Sequence, residues 1–347
     1  MRVDYIVVGL GLAGVAFCEQ LRTHNKRFVV FDRGTPSAST VASGLYNPIV
    51  LKRFVSAWKG HKLMQYSIPF YKTLEQTLAT SFLRPAPILR KLVSAAETND
   101  WQHACDSPSM APYMDAAVLP NNQPALHAPF GYGKLSGTGW LDCALMLSEY
   151  RSFLIDSQQM RAEMFLYDQL DSSANLLRYN DIEAKSIVFT EGTGIKHNPW
   201  FSYLPLRPIK GELLVIHCPD LQESHILHSG VFVIPLGNDN YKVGATYDNH
   251  DQTAVPTKRG LELLQTRLQK LLRVPYQVVD HLAGLRPTTP DRRPMIGTHP
   301  YDNRMALING LGSRGVLQAP FIAKFLMDFF KYGIPIPADM DVNRYPA

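Results

Sequence analysis

Apolar and polar positions at the start of the chain follow the order strand, loop, helix, strand. Residues 3–8 (VDYIVV) are a β-branched run typical of a central parallel strand. A glycine-rich loop comes next, and a helical pattern then runs to about residue 23. Residues 27–31 (RFVVF) form a second short apolar run. This order predicts a Rossmann-like βαβ unit.

The end of the chain has a similar order. Residues 305–309 (MALIN) have a strand pattern, residues 310–315 read GLGSRG, and residues 316–330 have the pattern of an apolar helix. Residues 185–192 are interpreted as another central strand and its turn. The sequence therefore predicts two glycine loops, about 300 residues apart, in one α/β protein.

The middle of the chain has a different pattern. Residues 213–216, 231–236 and 241–245 are interpreted as strands, with a hairpin turn at 238–240. Leucines at 261, 264, 268 and 271 have helical spacing. Residues 80–138 have poor periodicity and are interpreted as loops with short helices and strands. An antiparallel sheet with flanking helices is expected here.

Composition narrows the class of protein. The 347 residues suffice for about two domains, and 46% hydrophobic with 19% charged residues is typical of a globular chain. The net charge of +5 is dispersed, which favours a solvated surface over an anionic partner. Four widely spaced cysteines indicate reduced thiols, and no apolar run reaches the length of a bilayer span. We expect a cytoplasmic protein.

The first glycine loop carries the clearest chemistry. Gly9, Gly11 and Gly14 have G-x-G-x-x-G spacing between a strand and a helix, which is the context that binds a dinucleotide pyrophosphate. Asp32 ends the second strand, where a carboxylate would accept hydrogen bonds from a ribose. The loop alone leaves NAD and FAD open. No Gly-Lys-Ser/Thr motif is present, which excludes a P-loop.

Three further segments resemble one family. After Asp32 and Arg33, the small, hydroxylated and flexible residues 34–48 resemble a segment that wraps the diphosphate and flavin of FAD enzymes, although an ordinary polar loop is the alternative. Residues 139–142 read GWLD, and residues 282–297 read LAGLRPTTPDRRPMIG before the second glycine loop. Together these segments resemble the D-amino-acid oxidase superfamily of FAD-dependent oxidoreductases, strongly at both ends and weakly in the middle.

The resemblance implies that one FAD is held from both ends of the chain. The second loop would place backbone amides and a helix N-terminus at the edge of the flavin ring where negative charge accumulates on reduction. The cofactor residues implied, beyond Gly9, Gly11, Gly14 and Asp32, are Arg33, Ser39, Thr40, Ser43, Gly44, Gly192, Gly310, Gly312, Ser313, Arg314 and Gly315. No cysteine follows Cys218, so we expect FAD to be non-covalent.

Arg286 is the candidate substrate residue. In amino-acid oxidases an arginine in this setting binds the substrate carboxylate through two parallel N–H groups. A salt bridge to Asp291 or Asp280 is the alternative. Arg314 would add a second positive charge. The implied reaction is oxidation of a C–N bond in a small amine or amino acid that carries a carboxylate, by hydride transfer to flavin.

The resemblance also implies a division into two domains. We predict an FAD-binding domain made of residues 1–79, 139–204 and 281–347, and a substrate domain made of 80–138 and 205–280. Tyr46, Tyr247 and Trp58 are candidates either for the pocket wall or for the core. His225 and His228 lie three residues apart but lack a third ligand, so no metal site is predicted.

Other functions stay open. GLGSRG and residues 204–216 (LPLRPIKGELLVI) are similar to the oxidase half of the bifunctional tRNA wobble-uridine modification enzyme, which acts on a carboxymethylaminomethyl group. The chain lacks the arginine-rich patches of a strong tRNA binder, so a free amine is favoured. A nicotinamide dehydrogenase and a non-catalytic flavin-binding protein are the remaining alternatives. The sequence does not indicate an oligomeric state.

Overall fold

The computed structural model describes residues 1–346. Its strands are β1 Arg2–Val8, β2 Phe28–Phe31, β3 Leu45–Tyr46, β4 Ile49–Val50, β5 Val55–Ser56, β6 Leu83–Pro85, β7 Ile88–Lys91, β8 Met114–Leu119, β9 Tyr132–Leu135, β10 Gly139–Leu141, β11 Met160–Arg161, β12 Leu170–Asp171, β13 Leu177–Tyr179, β14 Ile182–Phe189, β15 Arg207–His217, β16 Ile226–His228, β17 Phe232–Gly237, β18 Asn240–Gly244, β19 Gln277–Thr288, β20 Met295–His299 and β21 Asp302–Asn309. Its α-helices are α1 Leu12–Thr23, α2 Ala38–Val41, α3 Gly60–Leu78, α4 Ala95–Cys105, α5 Cys143–Asp156, α6 Lys258–Gln269 and α7 Gly315–Tyr332. Short 3-10 turns lie at Tyr167–Gln169, Gly192–His197 and Val342–Arg344.

The first large sheet contains the predicted βαβ unit. Strand β1 pairs in parallel with β2 on one side and β14 on the other, and β14 pairs in parallel with β21. Helices α1 and α7 pack against one another over one face of this sheet. Every residue of β2 is buried because both faces of the sheet are covered. The predicted α/β class with a Rossmann-like unit is therefore confirmed.

The second large sheet has the order β19-β15-β18-β17-β16-β7-β9-β8. Its pairs are antiparallel except for β16 with β7, which run parallel. Asn238 and Asp239 both have positive φ, at 49° and 58°, as the two-residue hairpin turn between β17 and β18 requires. Leu264 and Leu268 on α6 are fully buried. The predicted antiparallel sheet with a flanking helix is confirmed.

The predicted domain boundaries stay a prediction. Strands of the first sheet all lie within residues 1–79, 139–204 and 281–347, and β7, β8, β9 and β15 to β18 lie within 80–138 and 205–280. Strand β19 crosses the predicted boundary at residues 280 and 281. A short third sheet of β3, β10 and β6 joins residues from both predicted parts.

Two segments differ in detail from the sequence interpretation. Residues 34–48, expected to be a flexible loop, contain the one-turn helix α2, because the Ser37 hydroxyl accepts from the amides of Ser39 and Thr40. Arg286 lies within the twelve-residue strand β19, for which no strand was predicted. No helix within residues 1–346 has both the length and the apolar character needed to cross a membrane.

Candidate active site

A cavity of about 1630 Å³ lies between the two large sheets. One wall comes from the carboxyl ends of the parallel strands and both glycine loops, and the other comes from one face of the antiparallel sheet. Ligand pockets of ordinary size measure about 300–1,000 Å³. This cavity therefore has room for a dinucleotide together with a small substrate.

The first glycine loop is shaped by its neighbours. Gly9 has φ +95°, and its carbonyl accepts a 2.6 Å hydrogen bond from the Thr190 hydroxyl at the end of β14. A Cβ on Gly14 would lie 2.2 Å from the Gly9 carbonyl oxygen, so only glycine permits this approach of helix to loop. Gly14 itself does not line the cavity. It acts through packing, as expected of the third glycine of the motif.

The N-terminus of α1 fits an anion. Gly11 is the N-cap residue and has no side chain with which to cap the helix, and the first turn contains no acidic residue. The Ser39 hydroxyl accepts from the Leu12 amide at 3.2 Å, and a Cβ on Gly11 would lie 2.9 Å from that hydroxyl. Gly11, Leu12 and Ala13 line the cavity. Free amides and a partial positive charge of about 0.5 at this end suit a pyrophosphate.

Asp32 organises the edge of the first loop. Its carboxylate accepts from the amides of Leu10 (2.8 Å) and Gly34 (2.7 Å) and pairs with the Arg151 guanidinium at 2.8 Å. Three of its roughly four acceptor positions are occupied. One oxygen thus retains capacity for a ribose hydroxyl, and Arg33 lines the cavity beside it.

The segment that follows Arg33 forms part of the wall that contains both glycine loops, which we call the cofactor wall. Ser39, Thr40, Ser43 and Gly44 all line the cavity. The Thr40 hydroxyl donates to the Ser37 carbonyl and accepts from the Ser37 amide. This hydroxyl therefore mainly stabilises the N-terminus of α2. Gly44 has φ +73°, and a Cβ there would lie 1.8 Å from the Leu141 carbonyl oxygen. This glycine is needed for the chain to pass β10.

The second glycine loop reaches the same cavity. Gly312, Ser313, Arg314 and Gly315 line it, as does Gly192 at the end of β14. Gly310 does not; it has φ +75°, and its amide donates to the Asn309 side chain at 2.8 Å. Asn309 also donates to the Gly192 carbonyl at 2.8 Å, which ties the two turns together. The structure thus brings both ends of the chain to one cavity.

Arg314 gives the second loop a formal positive charge. Its guanidinium donates to the carbonyls of Asn47 (2.9 Å) and Ile49 (3.4 Å), and burial lowers its pKa without removing the charge. Arg314 is also the N-cap residue of α7, whose first turn contains no acidic residue and no capping side chain. A fixed cation and an uncapped helix N-terminus therefore face the cavity together.

Arg286 lies on the opposite wall. Nη1 donates to the carbonyls of Lys210 (3.3 Å) and Thr246 (3.2 Å), and Nη2 donates to Thr246 (3.2 Å). The alternative of a salt bridge is wrong: Asp291 pairs with Arg344 at 3.1 Å, and no carboxylate within residues 1–346 pairs with Arg286. Burial lowers the pKa of this guanidinium, which remains charged.

Local packing fixes the position of the Arg286 head group. A Cβ on Gly211 would lie 2.0 Å from Nη2, so the guanidinium rests against bare backbone of β15. The Tyr247 ring lies 5.7 Å from the guanidinium carbon, and this tyrosine is 55% exposed at the cavity wall. Of the three candidate aromatic residues only Tyr247 lines the cavity; Tyr46 is core, and Trp58 donates to Asp339.

A buried ionic cluster supports the loop that carries Tyr247. Lys210 is fully buried, and its ammonium pairs with Asp251 at 2.5 Å and lies 3.6 Å from Glu212. Glu212 in turn accepts from the amide and hydroxyl of Thr257, the N-cap residue of α6. These bonds hold residues 246–257 against β15 and thereby hold the Thr246 carbonyl that binds Arg286.

A buried acid lies at the end of the cavity near Gly192. Glu191 accepts from the Tyr167 hydroxyl and from the Asn198 amide, and burial raises the pKa of its carboxyl group. Glu191 and Tyr167 line the cavity.

Sequence reasoning missed several of these residues. Thr190 and Glu191 lie within the strand and turn predicted at 185–192, so their position near a strand end was an available signal. Arg151 and Tyr167 carried no such signal, because only the folded chain brings them to the cavity. The same holds for Lys210, which is fully buried and does not line the cavity. The roles of the predicted site residues towards a ligand stay predictions.

Comparison with known proteins agrees with this geometry. The model of the family "FAD dependent oxidoreductase" (DAO) matches residues 4–329. A glycine oxidase from Bacillus subtilis is 25% identical over 94% of this chain and 92% of its own. The bifunctional protein MnmC of tRNA 5-methylaminomethyl-2-thiouridine biosynthesis, from Marinobacter nauticus, is 22% identical over 93% of this chain, which spans 54% of that protein.

A solved structure has the same fold. The crystal structure of glycine oxidase from Geobacillus kaustophilus superposes with a TM-score of 0.80 over the full length of both chains, at 18% identity. The family model covers nearly the whole chain, including both glycine loops and strand β19. The chain therefore belongs to the DAO family of FAD-dependent oxidoreductases, as its two glycine loops indicated.

Proposed function

We propose that this enzyme oxidises a C–N bond in a small amine or amino acid that carries a carboxylate. The observation that supports this most directly is Arg286, a cation in the cavity wall whose hydrogen bonds go to carbonyl groups and, within residues 1–346, to no acid. A partly buried cation without a counter-ion favours an anionic ligand. The glycine oxidase relatives act, by their names, on a substrate of this kind.

The free edge of Arg286 has the geometry for a carboxylate. A guanidinium has five N–H donors, and the three bonds made by Nη1 and Nη2 leave Nε–H and one Nη2–H without a partner in the described chain. These two donors are parallel and match the two oxygens of a carboxylate. The substrate carboxylate would thus be held side-on, which orients the neighbouring carbon and nitrogen towards the cofactor wall.

The cofactor wall supplies the rest of the machinery. Bound FAD supplies the hydride acceptor. The N-terminus of α1 and Ser39 would hold its pyrophosphate, Asp32 a ribose, and the N-terminus of α7 with Arg314 the edge of the ring that becomes electron-rich. Such fixed positive charge stabilises the reduced state more than the oxidised one. The protein's own task is to position the substrate and to tune the cofactor.

Arg286→Ala tests the proposal. We expect N-substituted glycines or D- or L-amino acids at low concentration to bleach the flavin about 100-fold more slowly under anaerobic conditions. The reason is the loss of a contact between opposite charges that contributes about 3 kcal/mol. The control is Arg259→Ala, at an exposed arginine on α6 outside the cavity. If a carboxylate substrate reduces the Arg286 variant as readily as the parent, this role of Arg286 is wrong.

A nucleotide-borne amine is the second candidate. It is favoured by the 22% identity to MnmC, whose name states a role in tRNA modification. This candidate predicts tRNA binding that weakens steeply with salt, measured by gel shift, and flavin reduction by modified tRNA. Free amines that bleach the flavin while tRNA does not bind would exclude it.

We further propose non-covalent FAD and a cytoplasmic location. The four cysteines are free, buried, and absent from the cavity wall, which favours reduced thiols and leaves no thiol beside the cofactor. Acid precipitation of the holoenzyme should release all the flavin into the supernatant. Flavin that stays with the precipitate would contradict non-covalent binding.

A further inference from the structure

Helix α7 contains a proline where its first turn needs a donor. In an α-helix the carbonyl of one residue accepts from the amide four residues later. Four residues after Val316 is Pro320, which has no N–H and whose ring crowds that carbonyl. Val316 is buried, so water is a poor replacement for the missing donor. The Val316 carbonyl therefore needs a partner from outside its own helix.

Helix α3 supplies that partner. The Tyr71 hydroxyl donates to the Val316 carbonyl at 2.8 Å, and the Ser67 hydroxyl donates to the Leu317 carbonyl at 2.6 Å. Both hydroxyl-bearing residues are fully buried, and they lie four positions apart on the face of α3 that packs against α7. Two hydroxyl groups of α3 thus hold two successive peptide groups in the first turn of α7.

The same turn has free amides at the cavity. Gly315 and Val316 both line the cavity, and neither amide has an acceptor among residues 1–346. The helical bonds of α7 begin with Gln318, whose amide donates to the Arg314 carbonyl at 3.0 Å. Free N–H groups at a helix N-terminus carry the partial positive charge of the helix. Val316 thus has a free amide in the cavity wall while Tyr71 holds its carbonyl.

The first turn of α7 is not fixed by α7 alone. A proline inside a helix removes one main-chain hydrogen bond and bends the helix at the turn before it. The side chain of Arg314, just before this turn, is held by the carbonyls of Asn47 and Ile49. The turn itself is held by the hydroxyl groups of α3. Without the bond from Tyr71, the amides of Gly315 and Val316 lose their fixed orientation towards the cavity.

We propose that Tyr71 is a positioning residue for the flavin site. Its hydroxyl replaces the amide that Pro320 lacks and orients the first turn of α7 towards the edge of the ring that becomes electron-rich. Ser67 has a smaller part, because Phe321, four residues after Leu317, has an amide that can serve as the helical donor. This inference rests on the proposed function, which places the N-terminus of α7 at that edge, and it adds the residue that fixes the helix there.

A double-mutant cycle tests the link between Tyr71 and Pro320. We expect Tyr71→Phe to lower the thermal midpoint of the holoenzyme by about 2–4 °C, because a buried carbonyl loses its donor. Pro320→Ala introduces an amide that can donate to the Val316 carbonyl. In that background Tyr71→Phe should lower the midpoint by about half as much or less. Equal losses with and without Pro320 would show that the hydroxyl does not replace the missing amide, and would overturn the inference.

The midpoint potential of the holoenzyme, measured by dye equilibration, separates positioning from stability. Tyr71→Phe should lower the preference for reduced over oxidised FAD about threefold, which for two electrons is a fall of about 15 mV. Ser67→Ala should lower the potential less. The control is Tyr150→Phe, because Tyr150 is also fully buried and donates to Glu19 at 2.7 Å, but lies on α5 and does not line the cavity. It should lower the thermal midpoint and leave the potential unchanged.

The outcomes separate this inference from the proposed function. If Arg314→Gln lowers the potential and Tyr71→Phe does not, the positioning role of Tyr71 is wrong and the placement of α7 stands. If neither variant changes the potential, the N-terminus of α7 does not act on the flavin, and the inference fails with that placement. If the potential falls in Tyr71→Phe but no amine with a carboxylate bleaches the flavin, the proposed reaction fails and the role of Tyr71 stands.

Discussion

The two walls of the cavity are built on different principles. The cofactor wall consists mainly of loops at the carboxyl ends of parallel strands, where glycines bring main-chain amides to the surface. The substrate wall is one face of an antiparallel sheet, where side chains from successive strands meet in register. The first wall presents main-chain groups to a ligand, whereas the second presents side chains such as Arg286.

This difference predicts how each wall tolerates change. At Gly9 and Gly44 in the cofactor wall, and at Gly14 behind it, a new side chain collides with main chain that cannot move alone. A new side chain in the substrate wall displaces another side chain and alters recognition while the cofactor stays bound. Three substitutions test this contrast, beginning with the largest expected effect.

Gly14→Ala should remove FAD altogether. Its methyl group would lie 2.2 Å from the Gly9 carbonyl oxygen, so β1 and α1 must separate. Overpacking of this kind costs about 1–3 kcal/mol or more and would distort the pyrophosphate site. Flavin absorbance per mole of purified protein and the thermal midpoint measure the effect.

The matched control for Gly14 is Gly194→Ala. A Cβ at Gly194 meets its nearest atom at 3.4 Å, which is ordinary van der Waals distance, so the thermal midpoint should stay close to that of the parent. Normal FAD content in Gly14→Ala would show that the packing of α1 on the first loop does not govern cofactor binding.

Gly211→Ala should spare FAD but weaken carboxylate recognition. The methyl group would lie 2.0 Å from Nη2 of Arg286 and would displace the guanidinium from its position against β15. We expect the second-order rate constant with a carboxylate substrate to fall by about 30- to 100-fold, a loss of about 2–3 kcal/mol. Stopped-flow flavin reduction at low substrate measures it.

The same variant offers an internal control. Amines without a carboxylate should be affected much less than amines that carry one, because they do not use Arg286. If the rate constants for both kinds of amine fall equally, or if FAD is lost, the cofactor wall and the substrate wall do not function as independently as the structure indicates.

Arg314→Gln should have the smallest effect, on the redox potential. Glutamine can still donate to one of the carbonyls of Asn47 and Ile49, but the formal charge is lost. We expect the midpoint potential of bound FAD to fall by about 30 mV, which for two electrons corresponds to about 1.4 kcal/mol. Dye equilibration measures the potential. An unchanged or higher potential would indicate that Arg314 has only a structural role.

The same contrast explains what the sequence could predict. Gly9, Gly11 and Gly14 stand within six residues, and Gly310, Gly312 and Gly315 do so again, so local spacing identified the two loops that reach the cavity. On the substrate wall, Arg286 was proposed from a resemblance, and its true partners are main-chain carbonyls 40 and 76 residues away in the chain. No local pattern indicates such partners.

Residues 34–48 illustrate an intermediate case. Ser39, Thr40, Ser43 and Gly44 line the cavity, and their contact with FAD stays a prediction. The capping box of Ser37 and Thr40 makes a turn of helix where flexibility was expected. His228 is a residue whose place in the cavity could not be predicted from local sequence. It was considered only as half of a metal pair, because register across four strands, and not spacing along one, places it in the cavity.

The bonds from Arg314 to the carbonyls of Asn47 and Ile49 have a consequence for biosynthesis. The central sheet needs residues 302–309 beside 182–189 beside 2–8, and the loop at 310–315 follows directly. A nascent chain therefore cannot complete this cavity before residues 302–315 have been translated and have folded beside residues 182–189 and 47–49. The flavin can be enclosed from both sides only after that point in biosynthesis.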